Sequence, residues 1–298
     1  MKTLNCLVIV CALTVASAPA RADVVTDWNQ IAIRATDIAG VPVPVQTRVL
    51  ALVHAAVFDA VNSVEGKYEP FALAAAAPAG ASPVAAAAGA AHGVLVSLFP
   101  MQKAISDAAL AASLSALPEG ASTRQGVEFG HEIARKIISL RESDGATRQV
   151  AYAFRSGAGR YQATPPMNAM PILPQWGDVK PFVIGDAENF KFAGPPALDS
   201  RFASNDLDEV RRLGGRDSRE RTNEQTAIAI HWAGSEVPPL NAVARAASAA
   251  KAASLSENAR LFALLNMAMA DSLVAGFRAK YTFDHWRPVT VIRGSGNS

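Results

Sequence analysis

The sequence predicts an all-α protein: a helical bundle with a long Pro/Gly-rich irregular segment in its middle. Half of the 298 residues are hydrophobic and 7% are aromatic, a composition that favours closely packed helices over sheets. Apolar residues recur at helical spacing from Leu50 to Val64. No segment shows an apolar–polar alternation strong enough to predict a strand.

Five helices are predicted before the irregular segment, and residues that interrupt helices mark their ends. The first ends before Gly40, the third before Pro100, and the fifth at Asp144-Gly145. The predicted ranges are 27–39, 46–64, the second half of 72–91 continued to 99, 102–114 and 122–143.

The irregular segment, 156–200, is rich in Pro and Gly and has no helical period. Such a segment usually serves function or wraps the surface, and the sequence leaves open whether it covers a pocket or an interface. Helices are predicted again over 206–213, 218–233, 239–253 and 256–281. Ser218 and Ser256 are the predicted N-caps of the second and fourth of these.

The first 22 residues are interpreted as a secretory signal. Lys2 precedes an apolar run, 4–16, that is too short to span a bilayer, and Ala20-Arg21-Ala22 is a small-x-small cleavage site. We expect cleavage after Ala22, export to the periplasm or the medium, and no stable membrane insertion afterwards.

Removal of this segment also removes both cysteines, Cys6 and Cys11, and two basic residues, Lys2 and Arg21. The remaining chain then excludes disulfides and cysteine–metal sites. It carries 26 basic and 26 acidic residues, so no overall positive charge attracts nucleic acid.

The candidate site lies at the end of the last predicted helix, at Lys280 and Arg287. Pro288 disfavours helical backbone angles at Arg287, so the chain turns between the two cations. If they converge, a guanidinium and an ammonium together bind a tetrahedral oxyanion, with Phe283 and Trp286 excluding water. On spacing alone, the alternative is that both cations are ordinary solvated surface residues.

Lys280, six further residues, and Arg287-Pro288 together resemble the first block of the signature shared by vanadium-dependent haloperoxidases and type-2 phosphatidic acid phosphatases (PAP2). The resemblance implies a helical bundle with a pocket for vanadate or phosphate, and it makes Lys280 and Arg287 two of the oxyanion ligands. Other short motifs resemble the bacterial haloperoxidase-like branch. They are Trp28-Asn29, 48–64, Tyr68-Glu69-Pro70-Phe71, Arg141 with Asp144-Gly145, Tyr161 with Thr164-Pro165-Pro166, Pro174-Gln175-Trp176 and Pro195-Pro196.

Two further blocks of that signature do not occur in the sequence. One, Pro-Ser-Gly-His, supplies an acid–base histidine, and the other begins Ser-Arg and ends in a histidine that binds vanadium or attacks phosphorus. Ser295-Gly296-Asn297 has asparagine where proton transfer needs histidine. We therefore expect 23–298 to be the N-terminal and first-motif part of a haloperoxidase-like domain, with both histidines downstream of Ser298. A complete but inactive relative is the alternative.

Several other polar residues receive structural interpretations. His285 is a candidate pocket residue, although packing beside Trp286 or facing solvent is the commoner role, and Asp284 is expected to pair with Arg287. His54 is interpreted as a core histidine with a hydrogen-bond partner. The remaining assignments are Asp59 and Asn62 as loop-fixing residues, Asp271 as the partner of an arginine on another helix, and His92, His131 and His231 as scattered histidines without metal-ligand spacing.

Three functions remain open on the sequence. The first is a vanadate-dependent haloperoxidase-like enzyme that oxidises halide with peroxide, which the resemblance near Trp28 and Arg48 favours. The second is an acid phosphatase of the PAP2 type, with phosphate in the same site and phosphate esters as substrates. The third is a non-catalytic helical binding protein. We expect the 298-residue chain alone to catalyse either reaction poorly, and its sequence selects neither the halide nor the oligomeric state.

Overall fold

The computed structural model describes residues 23–185 and 191–294, and these residues form ten α-helices and no β-strand. The all-α prediction is thus confirmed, whereas the predicted signal and Ser295-Gly296-Asn297 lie outside the described residues. The helices are α1 (Val24–Ile38), α2 (Val43–Glu65), α3 (Pro83–Leu98), α4 (Lys103–Leu114), α5 (Ala121–Leu140), α6 (Arg201–Leu213), α7 (Asn223–Trp232), α8 (Val237–Lys251), α9 (Leu255–Phe283) and α10 (Pro288–Gly294).

The start of α9 differs from the prediction by two residues. Its N-cap is Ser254, whose hydroxyl accepts the Glu257 backbone N–H while the Glu257 carboxylate accepts the Ser254 backbone N–H. Two reciprocal bonds satisfy two amides at once, so this capping box prevails over the single cap expected from Ser256. Ser256 is buried instead and donates its hydroxyl hydrogen to Glu65 of α2.

The predicted start of α7 at Ser218 was also wrong because a capping box prevails, and α10 was not predicted. Thr222 and Gln225 form the capping box of α7, whereas Ser218 accepts the backbone N–H of Arg221 in the preceding turn. Pro288 starts α10, where a missing backbone N–H costs nothing because the first turn has no intrahelical acceptor for it.

The core is built around α2, which is buried without interruption from Val49 to Asn62. It lies against α3 and α9, and the fully buried rings of Trp28 in α1 and Phe262 in α9 belong to the same apolar cluster. By length and composition alone, α2 and α9 are also apolar enough to cross a membrane. Core helices pass the same test, and 83% of the apolar window of α2 is buried.

Glycines allow α3 and α5 to approach backbone to backbone. A Cβ atom added to Gly130 in α5 would lie 2.3 Å from the Ala86 carbonyl oxygen and 2.6 Å from the Ala90 nitrogen, both in α3. On the opposite side of the contact, a Cβ on Gly89 would lie 2.5 Å from the Val127 carbonyl oxygen. Only hydrogen fits at these positions, so the two glycines set the distance between the helices.

Gly130→Ala is therefore expected to lower the free energy of unfolding by about 1–3 kcal/mol, because rigid backbone must move to admit the methyl group. Urea unfolding followed by circular dichroism measures the change. Gly276→Ala in α9 is the matched control, since a Cβ there meets nothing within 4 Å. It should be neutral or stabilising by up to about 1 kcal/mol, and equal losses in the two variants would contradict the close-approach argument.

The irregular segment is attached to the bundle by two buried side chains. The Asp271 carboxylate of α9 accepts the backbone N–H groups of 182–184 at 2.6–3.1 Å. Arg141 donates to the carbonyl oxygens of Lys180 and Pro181. Asp271 forms no direct ion pair among the described residues, because three backbone amides satisfy its oxygens, and the expected arginine partner is met only by its favourable charge interaction with Arg141. These contacts fix the irregular segment along α9.

Candidate functional site

Lys280 and Arg287 line a single cavity of about 700 Å³ beside the end of α9. We call it the cation cavity. His285 also lines it, together with Tyr152 and with residues of the irregular segment between Tyr161 and Ile172. The structure therefore brings the two predicted cations and the candidate pocket histidine to one place, although their binding of an oxyanion stays a prediction.

The turn between the two cations depends on Asp284, which ends α9 in the left-handed conformation with φ of 49°. Its backbone N–H donates to the Lys280 carbonyl oxygen at 3.0 Å and closes the last turn. A left-handed residue at this position redirects the chain away from the helix axis. Arg287 follows three residues later, just before α10, and so reaches the same side as Lys280.

The irregular segment holds this turn through backbone hydrogen bonds. The Tyr161 N–H donates to the Asp284 carbonyl oxygen at 2.8 Å, and the Trp286 N–H donates to the Gly159 carbonyl oxygen at 2.9 Å. Arg160 and His285 form an antiparallel bridge between these two bonds. A stretch without helical or strand pattern in the sequence therefore positions the turn between the two cations.

Asp284 is buried and pairs with residues just before the irregular segment rather than with Arg287, which corrects the prediction. The Tyr152 hydroxyl donates to one carboxylate oxygen, and the Arg155 guanidinium lies 3.8 Å from the other. Asp284 lines the cation cavity together with both cations, but the contacts of its carboxylate are with Tyr152 and Arg155. As a consequence, the Arg287 guanidinium is not neutralised by its neighbour in sequence.

Neither Lys280 nor Arg287 has a carboxylate partner among residues 23–185 and 191–294. Instead, the Lys280 Nζ lies 4.7 Å from the centre of the Phe277 ring, and the Arg287 Cζ lies 5.9 Å from the centre of the Tyr161 ring. Cation–π contact orients a cation without consuming its N–H donors in ion pairs. The donors of both side chains therefore remain available to an anion.

The electrostatics of the pair also favour an anionic ligand. Partial burial, and after it the charge of Arg287, lower the pKa of the Lys280 ammonium. An anion bound between the two cations would offset their mutual repulsion and raise the Lys280 pKa again, because the anion is attracted to both. Both side chains retain access to solvent, so the described residues leave the cavity open rather than sheltered as predicted.

The structure places Phe283 and Trp286 away from the cation cavity. Phe283 packs against Gly194, where an added Cβ would lie 2.8 Å from the Phe283 Cε1. Trp286 lines a separate groove with Pro195 and Pro196. Their predicted role as a wall against water is therefore wrong. The aromatic residues that line the cavity are Tyr152, Tyr161 and Tyr281 instead. Of these, the sequence analysis singled out only Tyr161, as part of a short motif that resembles the family.

The interpretation of the polar residues in α2 is confirmed. His54 is fully buried, accepts a hydrogen bond from Asn29 at 3.0 Å and stacks on Phe262. The Asp59 carboxylate accepts the backbone N–H groups of 71–73, and Asn62 exchanges two hydrogen bonds with the backbone of Tyr68. These residues shape the core and its loops and lie outside the cation cavity.

His92 and His131 are not scattered, which corrects the sequence interpretation. The His92 Nδ1 lies 2.9 Å from the His131 Nε2, and the His92 Nε2 lies 2.9 Å from an Asp107 oxygen. The three side chains join α3, α5 and α4. Within the described part of the chain, no group of three or more His, Cys, Asp or Glu residues is arranged to hold a metal ion, and His231 is exposed on α7.

Fold and site together define an all-α protein with a cationic cavity at the end of a long core helix. Family comparison then gives a match between residues 260–297 and the second helical-bundle domain of VCPO, a range that includes both Lys280 and Arg287. No curated protein matches the sequence.

Among solved structures, the first bacterial vanadium-dependent iodoperoxidase is similar, with a TM-score of 0.74 and 22% identity over 91% of this chain and 71% of that one. The apo and holo forms of a bacterial vanadium-dependent chloroperoxidase give a TM-score of 0.64 and 18% identity. In these two comparisons, 86% and 85% of this chain is covered, against 65% and 64% of the chloroperoxidase chains. The predicted resemblance to the vanadium-dependent haloperoxidases is thereby confirmed by a motif-bearing family match and a shared fold.

Proposed function

We propose that this chain supplies the oxyanion-binding part of a vanadate-dependent haloperoxidase-like enzyme, which oxidises halide with peroxide. The observation that carries the proposal is the convergence of Lys280 and Arg287 on one cavity without a carboxylate partner among the described residues. The likeness in fold to a bacterial iodoperoxidase and a bacterial chloroperoxidase supports this direction.

The residues of the cation cavity fit a tetrahedral oxyanion such as vanadate. Arg287 offers a planar fork that can bind two oxygens, and Lys280 adds a point charge with three donors. His285 contributes an imidazole that can donate or accept a hydrogen bond in the same cavity. Vanadate, when bound, supplies the centre at which peroxide and halide react, while these side chains hold it and neutralise its charge.

Two roles in this proposal have no assigned residue in this sequence. By the resemblance, one histidine transfers protons and another binds vanadium, and neither signature block occurs here. We propose that this chain binds the oxyanion but turns over poorly alone, with an inactive relative as the alternative. We also propose export through the segment 1–22, which would place the protein in the periplasm or the medium.

A PAP2-type acid phosphatase is the second candidate, because the same two cations suit phosphate. Arg287 and Lys280 recognise the charge and tetrahedral shape of the oxyanion, and these properties are common to phosphate and vanadate. In this case the substrates are phosphate esters, and the resemblance assigns the nucleophile to the histidine of the Ser-Arg block, which does not occur here. Folds with one anion site support both chemistries, so activity measurements must separate them.

Isothermal titration of the purified chain with orthovanadate and with inorganic phosphate, in a phosphate-free buffer of low ionic strength, tests the proposal. We expect both anions to bind and to compete. Halide-dependent bromination of a dye with peroxide and vanadate should be weak, and so should phosphate release from an aryl ester. Robust turnover of either kind would overturn the expected inactivity and identify the reaction. Failure to bind either anion would instead leave a non-catalytic helical binding protein.

A further inference from the structure

We propose that the cation cavity also binds the aromatic ring of an organic substrate, beside the oxyanion, on a surface formed by Tyr152, Tyr161 and Tyr281. This inference rests on the proposed oxyanion site and deepens it by naming the class of organic ligand. The cations would hold the tetrahedral anion, and the tyrosine surface would hold an arene within reach of it.

The three tyrosines form a connected aromatic surface around the two cations. The ring centres of Tyr152 and Tyr161 are 6.2 Å apart at an interplanar angle of 84°, and those of Tyr152 and Tyr281 are 5.8 Å apart at 56°. Rings at these distances leave edges and faces for a further ring in edge-to-face or offset contact. Since Arg287 lies over Tyr161 and Lys280 lies 5.5 Å from the Tyr281 ring centre, an arene here would adjoin the anion.

Two of the three tyrosine hydroxyl groups donate hydrogen bonds to other residues of the cavity, which leaves their rings as apolar surface. The Tyr152 hydroxyl donates to Asp284, and the Tyr281 hydroxyl donates to the Ile172 carbonyl oxygen. Burial, and after it the bond to Asp284, raise the pKa of Tyr152 to about 12. Burial likewise raises the pKa of Tyr281. Both tyrosines therefore stay neutral near pH 7, so Asp284, to which Tyr152 donates, is the acidic residue of the cavity lining among the described residues.

Exposed apolar residues also line the cavity. The exposed fractions are 82% for Met167, 57% for Met170 and 51% for Ile172, and all three line the cavity. Methionine thioethers contact aromatic rings favourably and adapt to different shapes. Exposed apolar residues gathered beside convergent polar groups mark a binding site more often than an inert surface.

The size of the cavity leaves room for more than an inorganic anion. Its volume of about 700 Å³ falls in the range of sites for small organic molecules, roughly 300–1,000 Å³. An oxyanion of five heavy atoms fills only a small part of that space. An organic ligand with one ring would occupy the remainder between the tyrosines and the methionines.

Phenylphosphonate tests the inference, because it joins a tetrahedral anion to an aromatic ring in one molecule that does not hydrolyse. Its affinity for the chain is compared by calorimetry with those of methylphosphonate and butylphosphonate. We expect phenylphosphonate to bind at least tenfold more tightly than methylphosphonate and more tightly than butylphosphonate. Met167→Gln with Met170→Gln should remove most of that gain and leave the methylphosphonate affinity unchanged. Met101→Gln is the matched control, a 97% exposed methionine outside the cavity.

Each alternative result has a separate meaning. Equal binding of phenylphosphonate and methylphosphonate would overturn the aromatic site and leave the oxyanion site standing. Equal binding of butylphosphonate and phenylphosphonate would show an apolar cavity without preference for a ring, which also overturns the inference. Phenylphosphonate binding that survives Arg287→Gln unchanged would separate the ring from the cations and contradict it. If no phosphonate and no phosphate binds, the proposed function fails as well.

Discussion

Lys280→Met and Arg287→Gln are each expected to lower the affinity of the chain for phosphate and vanadate by about tenfold to a hundredfold. Each substitution removes charge-assisted hydrogen bonds, which contribute roughly 1.5–3 kcal/mol, and 1.4 kcal/mol corresponds to a factor of ten. The double variant should bind more weakly than either single variant. Isothermal titration at low ionic strength measures the loss, and added salt should weaken binding to the wild-type chain.

Matched controls exist on other helices. Lys251 lies in the last turn of α8, as Lys280 lies in the last turn of α9, and Arg293 lies in the last turn of α10. Lys251→Met and Arg293→Gln should leave anion affinity unchanged. Comparable losses in these controls would show non-specific attraction to positive charge instead of a site. Lys280 and Arg287 form no ion pair among the described residues, so their substitution should change the free energy of unfolding by at most about 0.5 kcal/mol.

The helices could be predicted from the sequence because their signals are local. Apolar spacing identified α2, and breakers such as Gly40 and Pro100 placed the ends of α1 and α3 close to where they lie. The capping of α7 and α9 was less certain, because several Ser and Thr residues near each start compete for the same amides. Thr222 and Ser254 prevail since each has a Gln or Glu three residues later.

The motif predicted which cations meet, but not what surrounds them. Lys280 and Arg287 are seven residues apart, so one turn suffices to bring them together. Tyr152 and Tyr161 reach the cavity from a segment more than a hundred residues earlier, and no sequence period relates the two parts of the chain. The direction of Trp286 depends on the left-handed backbone of Asp284, a conformation that residues other than Gly rarely adopt and sequence therefore rarely reveals.

The contact between His92 and His131 was missed for a related reason. Metal-ligand patterns compare residues along one segment, whereas these histidines lie 39 residues apart on α3 and α5. Gly89 and Gly130 let those helices approach closely enough for the rings to meet. The contact is a product of helix packing, which a list of His positions does not contain.

His54 is expected to make the fold sensitive to acid. Complete burial lowers the pKa of its imidazole to about 3, and the hydrogen bond that Nε2 accepts from Asn29 also requires a neutral ring. In the unfolded chain the pKa is about 6.5. Below that value the unfolded state binds a proton that the folded state excludes, so stability is lost as the pH falls towards 3. Between pH 6.5 and 4.5 the expected loss from this one group is about 2 kcal/mol.

Comparison of wild type with His54→Gln isolates this contribution, because glutamine keeps an oxygen that can accept the Asn29 hydrogen bond and does not titrate. Urea unfolding at pH 6.5, 5.5 and 4.5 gives the free energy of unfolding of each protein. His54→Gln is expected to be less stable at pH 6.5, since its shape does not match the stacked ring, and its stability should fall less with acid by about 2 kcal/mol. His231→Gln, at an exposed histidine of α7, should keep the wild-type profile. Parallel profiles for wild type and His54→Gln would mean that His54 is protonated in the folded state, and the neutral buried imidazole would have to be abandoned.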